Sequence, residues 1–137
     1  MKKLVIKGPF ALIGHLPFVV LDKEAGIFKV YGYLLEQKKD VDMHFEKIHE
    51  WINNYIKEPN DSTDFYFGFH YIHTYGIKCI FEFIKKIRAI PNLNIFWVCD
   101  PEDIVFDELI VEISREINLG IKTLKPPINE NMLYIDK

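Results

Sequence analysis

Residues 65–71 read Phe-Tyr-Phe-Gly-Phe-His-Tyr, so that Phe65, Phe67, Phe69 and Tyr71 alternate strictly. A period of two puts every second side chain on one face of a strand. Four large aromatics then share a face, and an apolar surface of that size leaves water only when other elements cover it. The opposite face carries Tyr66, Gly68, His70 and Ile72, apolar enough to be partly covered too. A strand with two such faces belongs near the middle of a sheet, and the rest of the chain is expected to supply its neighbours and its cover.

The flanking segments fit that demand. Phe18-Val19-Val20-Leu21 and Ile27-Phe28-Lys29-Val30-Tyr31 are β-forming runs separated by Asp22-Lys23-Glu24-Ala25-Gly26. They predict a hairpin in which Gly26 supplies a positive φ. Lys3 to Ile6 reads as a further short strand, and Pro9, Gly14 and Pro17 punctuate the stretch between it and the hairpin. Val41, Phe45, Ile48, Ile52 and Tyr55 or Ile56 recur at helical spacing, capped by Asp40 or Asp42 and stopped by Pro59-Asn60-Asp61-Ser62. A second helix is expected from an N-cap at Thr74 through Arg88, with Ile77, Ile80, Phe81, Ile84 and Ile87 as its apolar face. Leu93 to Cys99 is a nearly continuous apolar strand, as expected under helical cover.

Asp100-Pro101-Glu102-Asp103 opens a third helix: Asp suits the cap, Pro the first position, and the acids the positive helix end. Phe106, Leu109, Ile110, Ile113 and Ile117 form its face, Gly120 its stop, and Ile121 to Leu124 a last short strand. The order β-β-α-β-α-β-α-β, with one more strand at the start, implies an α/β fold. It is a single mixed β-sheet with a leading antiparallel hairpin, parallel βαβ crossovers and about three helices.

At 137 residues the chain is expected to be one domain, 1–137, with its core at about 16–124 and a tail after Lys125 that is flexible. Seventeen basic and twenty acidic residues give a formal charge of −3. With the basic residues scattered, no attraction to nucleic acid or anionic membrane is expected. No run approaches the roughly 18 apolar residues of a membrane span, and Lys7 with Gly8-Pro9 breaks the short apolar start before a signal peptide can form. A cytoplasmic protein is the expectation. Cys79 and Cys99 form no C-x-x-C pair and read as reduced, buried thiols.

Catalytic motifs are missing. The seven glycines form no G-x-G cluster, and there is no phosphate loop, nucleophile elbow or dinucleotide fingerprint. His44 and His49, five apart on one helix, do not share a face as i, i+4 ligands do. His70 and His73 point to opposite faces of an extended chain, so neither pair forms a metal site. Asp100, Glu102, Asp103 and Asp107 could suggest a cation site at a strand end, but capping and dipole complementarity account for the first three. No metal and no cofactor are expected. Thr74 is the position with chemical interest beyond capping. A hydroxyl where a central strand gives way to a helix lies near unpaired N–H groups and the positive dipole end, where a phosphate is well accommodated.

With these residues in place, the chain resembles the SiaC family of bacterial biofilm-regulating phosphoproteins, itself similar in design to STAS-type anti-sigma factor antagonists. The likeness runs from about Leu16 to Leu124. It rests on Leu16-Pro17-Phe18-Val19-Val20-Leu21-Asp22 with Gly26 and Gly32, on the helix Phe45 to Ile56 with its Trp51, on Tyr71-Ile72-His73-Thr74-Tyr75-Gly76-Ile77-Lys78, and on Phe96 to Asp103. The third stretch falls on the family's Tyr-Phe-Asn-Thr-Ser-Ser-x-Lys segment, with His73 in place of Asn and Tyr75 and Gly76 in place of the serines. The resemblance implies a STAS-like fold and no enzymatic activity. It implies a regulatory phosphosite at Thr74, served by a dedicated kinase and a metal-dependent phosphatase, in a protein whose unphosphorylated form binds and activates a diguanylate cyclase. His73, Tyr75, Gly76, Lys78 and Glu82 are then the expected partner-binding residues. Two other readings stay open: a domain binding a hydrophobic ligand in a pocket lined by Phe65, Phe67 or Phe81, and an enzyme whose turnover depends on His73.

Overall fold

A computed structural model describes residues 1–6, 16–34, 38–72, 74–98, 104–118 and 120–124. The strands are β1 (Leu4–Ile6), β2 (Phe18–Asp22), β3 (Ile27–Leu34), β4 (Thr63–Ile72), β5 (Leu93–Val98) and β6 (Ile121–Leu124), and the helices are α1 (Lys38–Tyr55), α2 (Thr74–Ile87) and α3 (Ile104–Ile117). The strands form one six-stranded sheet in the order β1-β2-β3-β4-β5-β6. β1, β2 and β3 pair antiparallel, and β3 through β6 pair parallel. The alternating aromatic strand is β4, in the sheet interior as its pattern requires.

Strand order fixes the placement of the helices. Each crossover, β3-α1-β4, β4-α2-β5 and β5-α3-β6, steps one strand in the same direction. Right-handed connections that all step one way put all their helices on one face. The core lies between that face and the helices. Val19, Leu21, Phe28, Val30, Phe65, Phe67, Phe69, Ile95 and Trp97 meet Val41, Phe45, Ile48, Ile52, Tyr55, Ile80, Phe83, Ile84, Ile87, Ile110 and Ile113. The opposite face carries aromatic pairs across neighbouring strands. Phe18 stacks on Tyr31 at 5.3 Å and Tyr66 on Phe96 at 4.9 Å, with Lys122 over the Phe96 ring. The apolar run of β5 therefore serves two different surroundings, helices on one side and ring stacking on the other.

Several predicted details shift. The second helix buries Gly76, Ile80, Phe83, Ile84 and Ile87, whereas Phe81 is only partly buried. Phe83 fits because its ring meets Phe45, His49, Phe65 and Phe67, with centroids 5.4 to 6.4 Å away and in edge-on geometry, the arrangement aromatic quadrupoles favour. α1 starts at Lys38, so Asp40 lies inside its first turn rather than capping it; the dipole favours an acid there equally well. α3 ends in left-handed backbone at Asn118, φ 54°, rather than at Gly120. Asn tolerates that region because its short polar side chain bonds locally. Cys79 is in no disulfide and is only partly buried, packed against the core from a helix flank. Cys99, Asp100 to Asp103 and the segment after Leu124 lie outside the described residues.

Two glycines do what no other residue could do cheaply. Gly26 closes the β2–β3 turn at φ 69°, beside an Asp22 carboxylate that accepts from the Ala25 N–H at 3.1 Å. Gly32 adopts φ 121° where the β3–β4 register slips, its partner being Phe69 while Tyr33 pairs with Tyr71. The slip leaves His70 as the extra residue of a bulge, and bulges bend a strand and sharpen its twist. The bend comes just before β4 delivers the chain to α2.

The lower end of the sheet, where the parallel strands begin, is cross-tied. Tyr55 Oη and Thr63 Oγ1 share a buried hydrogen bond of 2.8 Å, and the Asn60 N–H donates to the same Tyr55 oxygen. Asn92, at φ 54°, accepts from the Thr63 N–H through its carbonyl and donates to the Asp61 carbonyl through its side chain. Trp51 Nε1 reaches the Lys2 carbonyl at 2.7 Å and holds the entry to β1 against α1.

Because Phe83 touches four rings and Phe81 borders solvent, the two truncations should separate widely. Phe83→Ala should cost about 3–5 kcal/mol, and Phe81→Ala about 1 kcal/mol or less. Urea unfolding of the two variants measures both, and equal losses would refute this assignment of the core.

Candidate functional site

β4 and α2 meet at the upper end of the sheet, where the parallel strands finish. Thr74 is exposed there and is the first residue of α2, so it belongs to the helical turn rather than capping it from outside. The N–H groups of a helix's first turn have no acceptor within the helix, and the dipole makes that end positive. The first turn of α2 holds no acidic residue, so no carboxylate of its own occupies that end.

The predicted partner-binding residues divide into two sets. Thr74, Lys78 and Glu82 are exposed, and their spacing of four places them in one outer stripe of α2. Lys85 continues the stripe, 3.9 Å from Glu82 and with its ammonium over the Phe81 ring at 5.1 Å. Tyr75 and Gly76 turn inward. Gly76 is buried, and the Tyr75 hydroxyl donates to Asp42 Oδ1 of α1 at 2.5 Å. His73 lies outside the described residues. Asp42 is the residue that sequence reasoning missed, having been assigned to capping. Its partner is 33 residues away, and no local pattern announces such a bond.

The surroundings of the two helical histidines are set by burial. His44 is 6% exposed. Desolvation first, and then the charge of Lys47, push its pKa down to about 4, against a hydrogen bond to the Pro17 carbonyl that acts the other way. Its Nε2 has no hydrogen-bond partner among the described residues. His49 is lowered as well, by burial and by Lys86, with Glu82 opposing. A ring held neutral beside Phe45 and Phe83 is a packing element of the α1–α2 seam. Among the described residues no three His, Cys, Asp or Glu side chains gather as a metal site would require. Phe65 and Phe67 are fully buried and stack on one another at 5.0 Å. They fill the core where the ligand reading placed a pocket. No described helix is long and apolar enough to cross a membrane.

The described residues thus present a mixed sheet with helices on one face and an exposed hydroxyl heading the helix that follows an inner strand. Comparison with known proteins makes the class specific. Residues 14–125 match the SiaC family of regulatory phosphoproteins, and the chain belongs to that family. Among solved structures it is similar to apo-SiaC from Pseudomonas aeruginosa. The TM-score is 0.71 at 17% identity, covering 90% of this chain and 98% of that one. It is also similar to the Pseudomonas aeruginosa SiaC solved in complex with the diguanylate cyclase SiaD, which SiaC activates. Here the TM-score is 0.68 at 16% identity, covering 89% and 98%. No curated protein matches the chain in sequence. At these identities the structural likeness establishes a shared fold.

The depressed His44 makes stability depend on pH with a definite sign. The unfolded chain takes up a proton on this ring near pH 6.5, whereas the folded chain does so only near pH 4. The stabilisation is therefore complete above about pH 6.5 and is lost as pH falls toward 4, with a total on the order of 3 kcal/mol. His44→Gln should flatten that part of the profile in urea titrations run at several pH values. An unchanged slope in the variant would assign the acid sensitivity to other groups.

Proposed function

We propose that this protein is a phosphorylation-switched regulator that acts by binding other proteins and carries its switch at Thr74. One observation carries the reading: in a chain of the SiaC regulatory phosphoprotein family, an exposed threonine stands at the head of α2, where no acidic side chain of the first turn competes for the positive helix end. A phosphate on Thr74 would add about −1.5 to −2 charges. It would lie over the first-turn N–H groups, with Lys78 one turn along to receive it, so a Thr74-centred surface would change from nearly neutral to strongly anionic. An interface matched to the first state would be opposed by the second through like-charge repulsion and desolvation.

The partners this reading calls for are a kinase that charges Thr74, a metal-dependent phosphatase that clears it, and a diguanylate cyclase as the downstream target. Support for the last is that a SiaC of the same fold has been captured with a cyclase that it activates. The outer stripe of Thr74, Lys78 and Glu82 is the proposed contact surface, and His73, next to Thr74 in sequence, is proposed to contribute to it. Tyr75 and Gly76 contribute from beneath, by setting the height and angle of the first turn. The protein itself carries out no chemistry in this scheme.

Intact-mass and peptide mass spectrometry of the protein from its native cells should find a phosphate on Thr74 that Thr74→Ala eliminates. In binding measurements with a diguanylate cyclase from the same cells, Thr74→Ala should bind like the unmodified protein, and Thr74→Glu about tenfold or more weakly, a change of roughly 1.4 kcal/mol. Equal affinity of the two variants, or an unmodified Thr74 under all growth conditions, would remove the switch and leave a constitutive binding protein.

A further inference from the structure

α1 and α2 lie side by side, and contacts among the described residues join them at successive heights. Nearest their N-terminal ends, the Tyr75 hydroxyl donates to Asp42. Below it, Phe45 meets Phe83 edge-on, with centroids 6.4 Å apart. Lower still, the His49 ring abuts Phe83 at 5.6 Å. The lower two are ring contacts inside the helix seam, where a charge added at the surface has little to act on. The uppermost contact differs in kind. It is a half-buried, charge-assisted hydrogen bond whose acceptor is an anion and whose donor is the immediate neighbour of Thr74.

We infer that Asp42 senses the charge at Thr74 and that the Tyr75–Asp42 bond passes its state on to α1. The inference rests on Thr74 being the regulated residue. With Thr74 uncharged, the bond holds the first turn of α2 against the N-terminal half of α1, and the buried Gly76 seats that turn closely. A phosphate on Thr74 places a second anion one residue from the donor, at a surface where salt screens only in part. The positive end of α2 can stabilise one anion beside its first turn better than two, and the phosphate, on the helix itself, is better placed than Asp42 of α1. Asp42 is the group that yields, and α1 loses its upper tie. Val41, 1% exposed, stays in the core, so the loosening is confined to the outer side of α1, where Met43 is 54% exposed. The surface controlled by Thr74 thus includes the N-terminal half of α1 and is not limited to the stripe on α2.

Hydrogen exchange followed by mass spectrometry on the purified full-length protein tests this without a kinase or a cyclase. Thr74→Glu should speed exchange of amides 41–45 by about threefold, the scale of one exposed charge interaction. In an Asp42→Asn background the same Thr74→Glu change should have no effect on those amides, because Asn still accepts from the Tyr75 hydroxyl but carries no charge. Tyr75→Phe, which deletes the donor and keeps the ring, should by itself give the faster rate. The inference is overturned if Thr74→Glu leaves these amides unchanged in the otherwise wild-type chain, or speeds them equally when Asp42 is Asn. Either failure leaves the phosphosite standing and removes its route to α1. Finding Thr74 unmodified in cells would do the reverse, removing the switch while leaving the measured coupling intact.

Discussion

Phe83 touches rings from α1 and from two positions of β4, and the position of α2 depends on that contact. Phe65 and Phe67 stack along one face of the strand, and Trp97 from β5 continues the row at 5.5 Å from Phe67. Phe83 drops onto this row from above while Phe45 closes it from the side. Each edge-on pair contributes about 0.5–1.5 kcal/mol beyond the area it buries, and four of them converge on one side chain. A helix held so firmly in its C-terminal half cannot slide along the sheet. Its first residue, Thr74, is therefore kept at a fixed height above the end of β4.

The two ends of the molecule are held by different means. The lower end is tied by backbone and side-chain hydrogen bonds among Tyr55, Asn60, Thr63 and Asn92, bonds that no change of charge at the opposite end would disturb. The upper end has the bulge at Gly32, the turn from β4 into α2, and an ionisable tie between helices. A hydrogen-bonded base beneath a rim that holds an ionisable tie is the division of labour expected if the proposed binding residues are borne by segments set on a fixed scaffold. SiaC structures at 17% and 16% identity share the fold.

Much of this was legible in the residues. The alternation in β4, the Gly26 hairpin, the helical spacing from Val41 to Tyr55 and the parallel order of the later strands all follow from local patterns, and the structure matches them. The misses share a cause. Phe81 and Phe83 both suit the apolar stripe of α2, and only the location of Phe45 and β4 decides between them. Gly120 was the stronger stop by residue type, but the left-handed residue that follows the helix is Asn118. Asp42 looked like a cap because caps are read from neighbours, whereas its bond to Tyr75 exists only once two helices lie together. The proposal of Thr74 as phosphoacceptor rests on the resemblance: a threonine heading a helix has the same local signature whether or not it is ever modified.

The one-directional strand order has a bearing on how the chain assembles. From β3 onward every new strand adds to the edge of the one before it, and the helix between them covers the ground just laid. No strand waits for a partner from later in the sequence. A chain emerging from the ribosome can therefore build this sheet in the order it is made, each βα unit docking on a finished edge. The most exposed intermediate is the one that presents β4 before β5 arrives, with Phe67 still lacking its Trp97 neighbour. Growth of this kind confines pairing to consecutive strands, but each parallel pair still closes a crossover, as Phe28 with Phe65 and Ile95 with Ile121 show, and such long-range pairings form slowly. It also delivers α2, and the threonine at its head, before the closing strands are complete.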